Sequence, residues 1–169
     1  MSASVQLPPS SLSTTTIPVV GVVLVGHGRT ASELLAAATG IVGPELLESV
    51  QAVDAGKGQT PKLDDELCEV LDRADHGAGV LLLVDLWGAS PCSCAQRHAG
   101  GRHVAILAGL NLAMLLKLAA LDRRRLGPEA LAQACADSGR RAVNVQSLAP
   151  APTDPAAAPA AVRPKEIPA

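Results

Sequence analysis

Four short apolar runs, at residues 19–25, 49–53, 79–84 and 104–107, alternate with stretches of helical periodicity, and this alternation leaves few folds open. Each run is too short for an ordinary helix and is rich in Val, Leu or Ile, as strands buried on both faces of a parallel sheet are. The intervening stretches carry helix signals. Thr30-Ala-Ser-Glu33 reads as a capping box opening a helix that continues through Ile41. Residues 61–73 place Leu63, Leu67, Val70 and Leu71 at helical spacing. Ser90-Pro91 reads as an N-cap with proline at the first helical position, Asn111 as the cap of "LAMLLKLAALDRR", and residues 128–137 as a further helix. "RAVNVQSL", residues 141–148, alternates like a final strand. Strand and helix in turn predict an α/β fold, an open, mostly parallel, doubly wound sheet.

The 169 residues suffice for one domain with a real core, but with one Trp and no Tyr or Phe that core must be built from Val, Leu, Ile and Ala. Residues 1–17, rich in Ser, Thr and Pro, predict a disordered arm, and the Ala/Pro-rich residues 149–169 a flexible tail, leaving 18–148 as the domain. The arm has no Lys or Arg and no long apolar stretch, unlike a secretory signal. A net charge of -2 gives no reason to expect nucleic-acid binding, and no apolar run approaches the ~20 residues that span a bilayer. Cys68, Cys92, Cys94 and Cys135 show neither disulfide nor zinc spacing, so four reduced thiols and a cytoplasmic protein are expected.

In such sheets ligands bind beyond the carboxyl ends of the strands. Three strand ends here lead into helix starts with polar groups: His27 with Thr30, Asp85 with Ser90, and Asn111. Helix starts carry unpaired N–H groups and partial positive charge, which suits an anion such as a phosphoryl group. His27 stands between Gly26 and Gly28, which clear space on both sides for another molecule to approach the ring. A lone histidine is as readily structural, and the glycines tip the balance. Asp85 ends "GVLLLVD", where a carboxylate after a buried run needs a partner. Accepting the Nδ1–H of His27 would fix the tautomer and leave Nε2 as a neutral nucleophile. Its blander alternative is a turn former. Ser90, Gly28 and Thr30 are the candidate phosphoryl-binding positions, and Trp87 and Asn111 the candidate partner surface, although Ser90 and Asn111 serve equally as caps and Trp87 as core. His76, His98 and His103 receive no role; His103 starts a strand at the opposite sheet edge, about 15–20 Å away by strand rise.

"GVVLVGHGRTASELLAAATGIVG", "GVLLLVDLWGASP" and "VAILAGLNLAMLL" resemble, in order and spacing, the IIA component of the mannose-type sugar phosphotransferase system (PTS), over about residues 19–148. The resemblance implies that His27 is phosphorylated at Nε2, that Asp85 is its carboxylate partner and that Ser90 is the serine of the Gly-x-Ser-Pro turn. It implies phosphate received from the phosphocarrier HPr and passed to a IIB component, with no cofactor and no membrane insertion. It also implies a homodimer that exchanges the last strand, here 141–148, antiparallel to the others. The chain departs from the family pattern at Gly26, where Thr or Ser is usual, and at Ala89, Cys92, Ser93 and Ala113. No IIB sequence follows the tail, so a separate partner, or a regulatory protein that reads the phosphorylation state, is expected. Two rivals remain. Gly26-His27-Gly28-Arg29-Thr30-Ala31 fits a dinucleotide fingerprint, with Asp54 as its later acid. "LVGHGR" also resembles the opening strand of a tetrapyrrole metal chelatase, which would need a second histidine at the same edge.

Overall fold

The computed structural model describes residues 17–56, 61–87 and 103–148. Within these, β1 (Gly21–Gly26) leads into α1 (Thr30–Val42), a 3-10 turn (Pro44–Leu46) and β2 (Val50–Asp54). Helix α2 (Pro61–Ala74), β3 (Val80–Val84), β4 (Val104–Ala108), α3 (Leu112–Ala119) and α4 (Pro128–Arg141) follow. The four strands form one parallel sheet in the order β2-β1-β3-β4.

Every residue of β1 and β3 is buried, which is why both read as unbroken apolar runs rather than alternations. Alternate side chains still go to opposite faces. Val22, Leu24, Leu81 and Leu83 pack with Leu115 and Leu118 of α3 and Leu131 and Cys135 of α4. Val23, Val25, Leu82 and Val84 pack with Leu63, Leu67, Val70 and Leu71 of α2. The sheet is thus covered on both faces, and each fully buried Leu or Val contributes about 1.5–3 kcal/mol of burial free energy. The core is Val, Leu and Ala, completed by Met114 and Cys135, while Ile17 and Ile41 are exposed. Burial pushes the Cys135 thiol up to about 11, keeping it protonated and unreactive.

The register sets the site. Gly26 pairs with Asp54, and Val25 with Val84, so the ends of β1, β2 and β3 lie side by side. Asp85, one residue past β3, donates its N–H to Val25 O at 3.1 Å. His27, Asp54 and Asp85 therefore emerge at one edge.

Three expectations need correction. Thr30 is not an N-cap: the cap position falls on Arg29 without a side-chain cap bond, and the Glu33 carboxylate pairs with Arg29 at 2.8 Å. The Thr30-x-x-Glu33 spacing fits a capping box, but the tight Gly28 turn starts the helix at Thr30 itself. Arg141 belongs to α4, and residues 142–148 form neither helix nor strand in the single chain. Val143, Val145 and Leu148 are 78%, 97% and 87% exposed, and the segment pairs with none of the described strands. Finally, Cys68 on α2 is disulfide-bonded, against the expectation of reduced thiols. Pairing depends on Cβ proximity in space, which sequence spacing does not report.

Candidate active site

Strand β1 delivers His27 and the loop Gly26-His27-Gly28 then has to turn at once into α1. Gly28 takes the left-handed conformation, φ 60°, which other residues adopt at a penalty. Gly26 is required for a different reason. A Cβ there would lie 2.9 Å from the Ala31 nitrogen and 2.9 Å from Thr30 Cβ, so the first turn of α1 occupies the space a side chain would need. A Thr or Ser at this position would require a shift of this turn.

The loop's main chain is fastened on every side. Ala55 N–H donates to Gly26 O at 2.8 Å, and Gly28 N–H to Gly56 O at 2.7 Å, an isolated antiparallel bridge beyond the parallel strands. Thr30 donates both its N–H (3.1 Å) and its hydroxyl (2.7 Å) to His27 O. The His27 N–H donates to Asp85 Oδ2 at 2.7 Å. Asp85 also faces the ring: Nδ1 is 3.1 Å from both Oδ1 and Oδ2. The His27 side chain is 44% exposed and that of Asp85 20%.

This geometry assigns the tautomer. A carboxylate only accepts, so Nδ1 carries the proton and Nε2 keeps its lone pair. Nε2 has no partner among the described residues. With the proton on Nδ1, Nε2 of the half-exposed ring has a free lone pair, and the adjacent carboxylate would stabilise positive character on the ring, an arrangement chemically suited to a nucleophile.

The other expected residues divide. Trp87 is 70% exposed and Leu86 62%, immediately after Asp85, which places a large apolar surface beside the histidine. Gly28 and Thr30 adjoin His27, but the Gly28 amide is taken by Gly56 O and the Thr30 hydroxyl by His27 O. Asn111 caps α3, its Oδ1 accepting from Met114 N–H at 3.2 Å and its Nδ2 donating to Gly109 O. Ser90, Ala89, Cys92, Cys94 and His98 lie outside the described residues.

One constellation was not foreseen as part of this site. Asp54, ending β2, accepts the Ser32 N–H at 3.0 Å and the Ser32 hydroxyl at 2.5 Å. It caps α1 from a different strand. The signal was present in the sequence: "AVD" closes β2 as "LVD" closes β3. A ribose-binding role would need Asp54 open, and here its carboxylate is engaged by Ser32. Among the described residues the chelatase alternative gains no second histidine at this edge: His103 pairs with Glu129 before β4, at the far edge. Among the described residues no group of three His, Cys, Asp or Glu side chains could hold a metal ion.

The sequence and the fold both resemble those of known proteins. The sequence matches the EIIA-man family, described as the PTS system fructose IIA component, over residues 21–135. It is 35% identical over 153 residues to the mannose-specific EIIAB component of the PTS from Escherichia coli K12, covering 88% of this chain and 46% of that protein. The chain thus spans about half the length of the curated relatives it matches. Among solved structures it resembles the mannose/sorbose-specific IIA subunit of Enterococcus faecalis (TM-score 0.65, 29% identity, 79% of this chain and 98% of that one). The EIIA component of Streptococcus agalactiae shares the fold (TM-score 0.62, 21% identity, 75% of this chain and 96% of that one).

Proposed function

The chain belongs to the mannose-type IIA family of the phosphotransferase system, and from that premise we propose that it is a phosphohistidine carrier whose acceptor atom is Nε2 of His27. The observation that carries this reading is the His27–Asp85 pair, with Nδ1 engaged at 3.1 Å and Nε2 facing outward. The donor is a phosphorylated histidine of HPr. The Nε2 lone pair attacks phosphorus in line, the Nε2–P bond forms, and the donor's N–P bond breaks with its electron pair returning to the donor nitrogen. The ring gains positive character, balanced by Asp85. The phosphoryl group then passes to a IIB component by the reverse geometry. Donor and acceptor are both proteins, so the reaction calls on no metal or organic cofactor.

Two of the assigned phosphoryl-binding positions are already engaged, and the Gly28 N–H donates to Gly56 O. Thr30 must turn its hydroxyl from His27 O to donate to a phosphoryl oxygen. Of the first four amides of α1, Thr30's goes to His27 O, Ser32's to Asp54 and Glu33's to Arg29 O, while Ala31's has no partner among the described residues. Ala31 is fully buried, so its amide adds partial positive charge to the site rather than a direct contact, and Ser90 is the remaining assigned donor. The exposed Leu86 and Trp87 supply an apolar contact for HPr or IIB.

The exposed Val143, Val145 and Leu148 support a homodimer in which residues 142–148 pair with the open edge of β4 of a second copy. No helix among the described residues is long and apolar enough to cross a membrane.

The test is labelling by phosphoenolpyruvate, enzyme I and HPr. The wild-type chain takes up one acid-labile phosphoryl group, and His27→Ala takes up none. A His27→Ala protein that labels fully would remove His27 from the mechanism.

A further inference from the structure

Asp54 carries a carboxylate at the same sheet edge as Asp85, yet nothing in the transfer step uses it. Its contacts show where it acts. Ser32 is the third residue of α1, and its N–H is one of the helix-start donors that no intrahelical carbonyl can reach. Asp54 accepts that N–H at 3.0 Å and the Ser32 hydroxyl at 2.5 Å, so both carboxylate oxygens end on one residue. The hydroxyl also lies 3.3 Å from Arg29 O, inside the turn that follows His27.

Both bodies joined by this contact hold the histidine. The first turn of α1 grips His27 O through Thr30 N–H and hydroxyl. The two residues after Asp54 hold the flanking glycines, through Ala55 N–H to Gly26 O and Gly28 N–H to Gly56 O. Asp54 itself is in register with Gly26. It thus ties the strand that holds one side of the loop to the helix that holds the other. Without it, the helix start and the end of β2 remain attached to the loop but no longer to each other through a side chain.

We propose that Asp54 is a positioning residue for phosphoryl transfer, which fixes the first turn of α1 through Ser32 and thereby sets the His27 ring against Asp85. This rests on the phosphocarrier reading. Asp54 touches neither the ring nor the incoming group. A reacting nitrogen must meet phosphorus at the correct angle and distance, and small misplacement is expensive in rate.

Three variants test this: Asp54→Ala, Asp54→Asn and Ser32→Ala. Asn keeps an oxygen for the Ser32 N–H, and its NH2 can donate to the Ser32 hydroxyl, so it preserves the tie without the charge. In single-turnover transfer from phospho-HPr, Asp54→Ala should slow the saturating rate at least ~10-fold, a loss typical for removing a group that orients a working residue. Half-saturation by phospho-HPr should stay within about 2-fold, because the docking surface is untouched. Asp54→Asn should recover most of the rate, and Ser32→Ala should lose about 2- to 5-fold. A folded Asp54→Ala protein with the wild-type rate would overturn the proposal. So would Asp54→Asn as slow as Asp54→Ala, which would point to charge rather than position. If Asp54→Ala does not fold, a wild-type rate in Ser32→Ala together with a slow Asp54→Asn overturns it equally. A second readout needs no donor. In ¹⁵N NMR of the imidazole, wild type should show the Nδ1–H tautomer alone, and Asp54→Ala a mixture. If the wild-type chain accepts no phosphate, the carrier reading fails, and the tautomer shift still decides whether Asp54 positions the ring.

Discussion

The sheet carries a histidine–carboxylate pair at each of its two edges, and the pairs behave as opposites. At the carboxyl edge Asp85 holds His27 through Nδ1 and also accepts the His27 main-chain N–H. The acid is anchored by backbone as well as by ring, and Nε2 is left open. At the amino edge His103 meets Glu129, on the first turn of α4, through Nε2 itself at 2.5 Å. The two side chains there are 58% and 63% exposed, with no main-chain bond joining them. Two similar pairs of chemical groups thus leave Nε2 open in one place and occupied in the other. What separates them is which ring nitrogen is spent, and whether the carboxylate is fixed by something besides the ring.

The contrast is broken most completely by exchanging the expected losses. His27→Ala abolishes labelling while His103→Ala leaves it unchanged, and equal losses in the two would remove the distinction between the edges. Next in size is Asp85→Asn. Its amide NH2 faces Nδ1 and turns that nitrogen into the acceptor, moving the proton to Nε2 and blocking the lone pair. Transfer should slow by roughly 10- to 100-fold, the range for removing a carboxylate that orients an imidazole, with the tautomer change visible by ¹⁵N NMR. An unchanged rate would show that orientation of the ring is not limiting. The third effect concerns stability. Gly26→Ala drives a Cβ against the Ala31 nitrogen and Thr30, and should destabilise the protein by about 1–3 kcal/mol in denaturant unfolding. The smallest is Glu129→Ala. An exposed pair contributes about 0–1 kcal/mol, so the thermal midpoint should move by a few degrees at most and labelling not at all.

The carboxyl edge was more legible in the sequence than its hydrogen bonds. The strands could be placed within a residue or two because β1 and β3 are buried throughout and interrupted by glycine and polar residues. His27 and Asp85 stood out because each breaks an apolar run at the point where a strand must end. Asp54 stood at an equivalent point, but its partner Ser32 is 22 positions earlier, and only the sheet register brings the two together. The Thr30–Glu33 pattern misled for a related reason: local spacing suggested a self-contained cap, whereas the donor at Ser32 is satisfied from another strand. The bond to Cys68 was hidden because it depends on spatial approach. Residues 142–148 alternate correctly for a strand, yet strand pairing is a property of two segments, and after α4 this one runs against none of the described strands of its own chain.

The lacing of the histidine loop has a consequence for how this protein tolerates change. Ala55 N–H, Gly56 O, Gly26 O, Gly28 N–H and His27 O are all peptide groups, and a peptide group survives most substitutions of the side chain it bears. A saturation library scored by labelling should therefore be unforgiving at 27 and 85, limited by space at 26 and by backbone conformation at 28, and permissive at 55. Most of the blueprint for the loop is thus carried by main-chain atoms, which leaves the neighbouring side chains free to vary without loosening it.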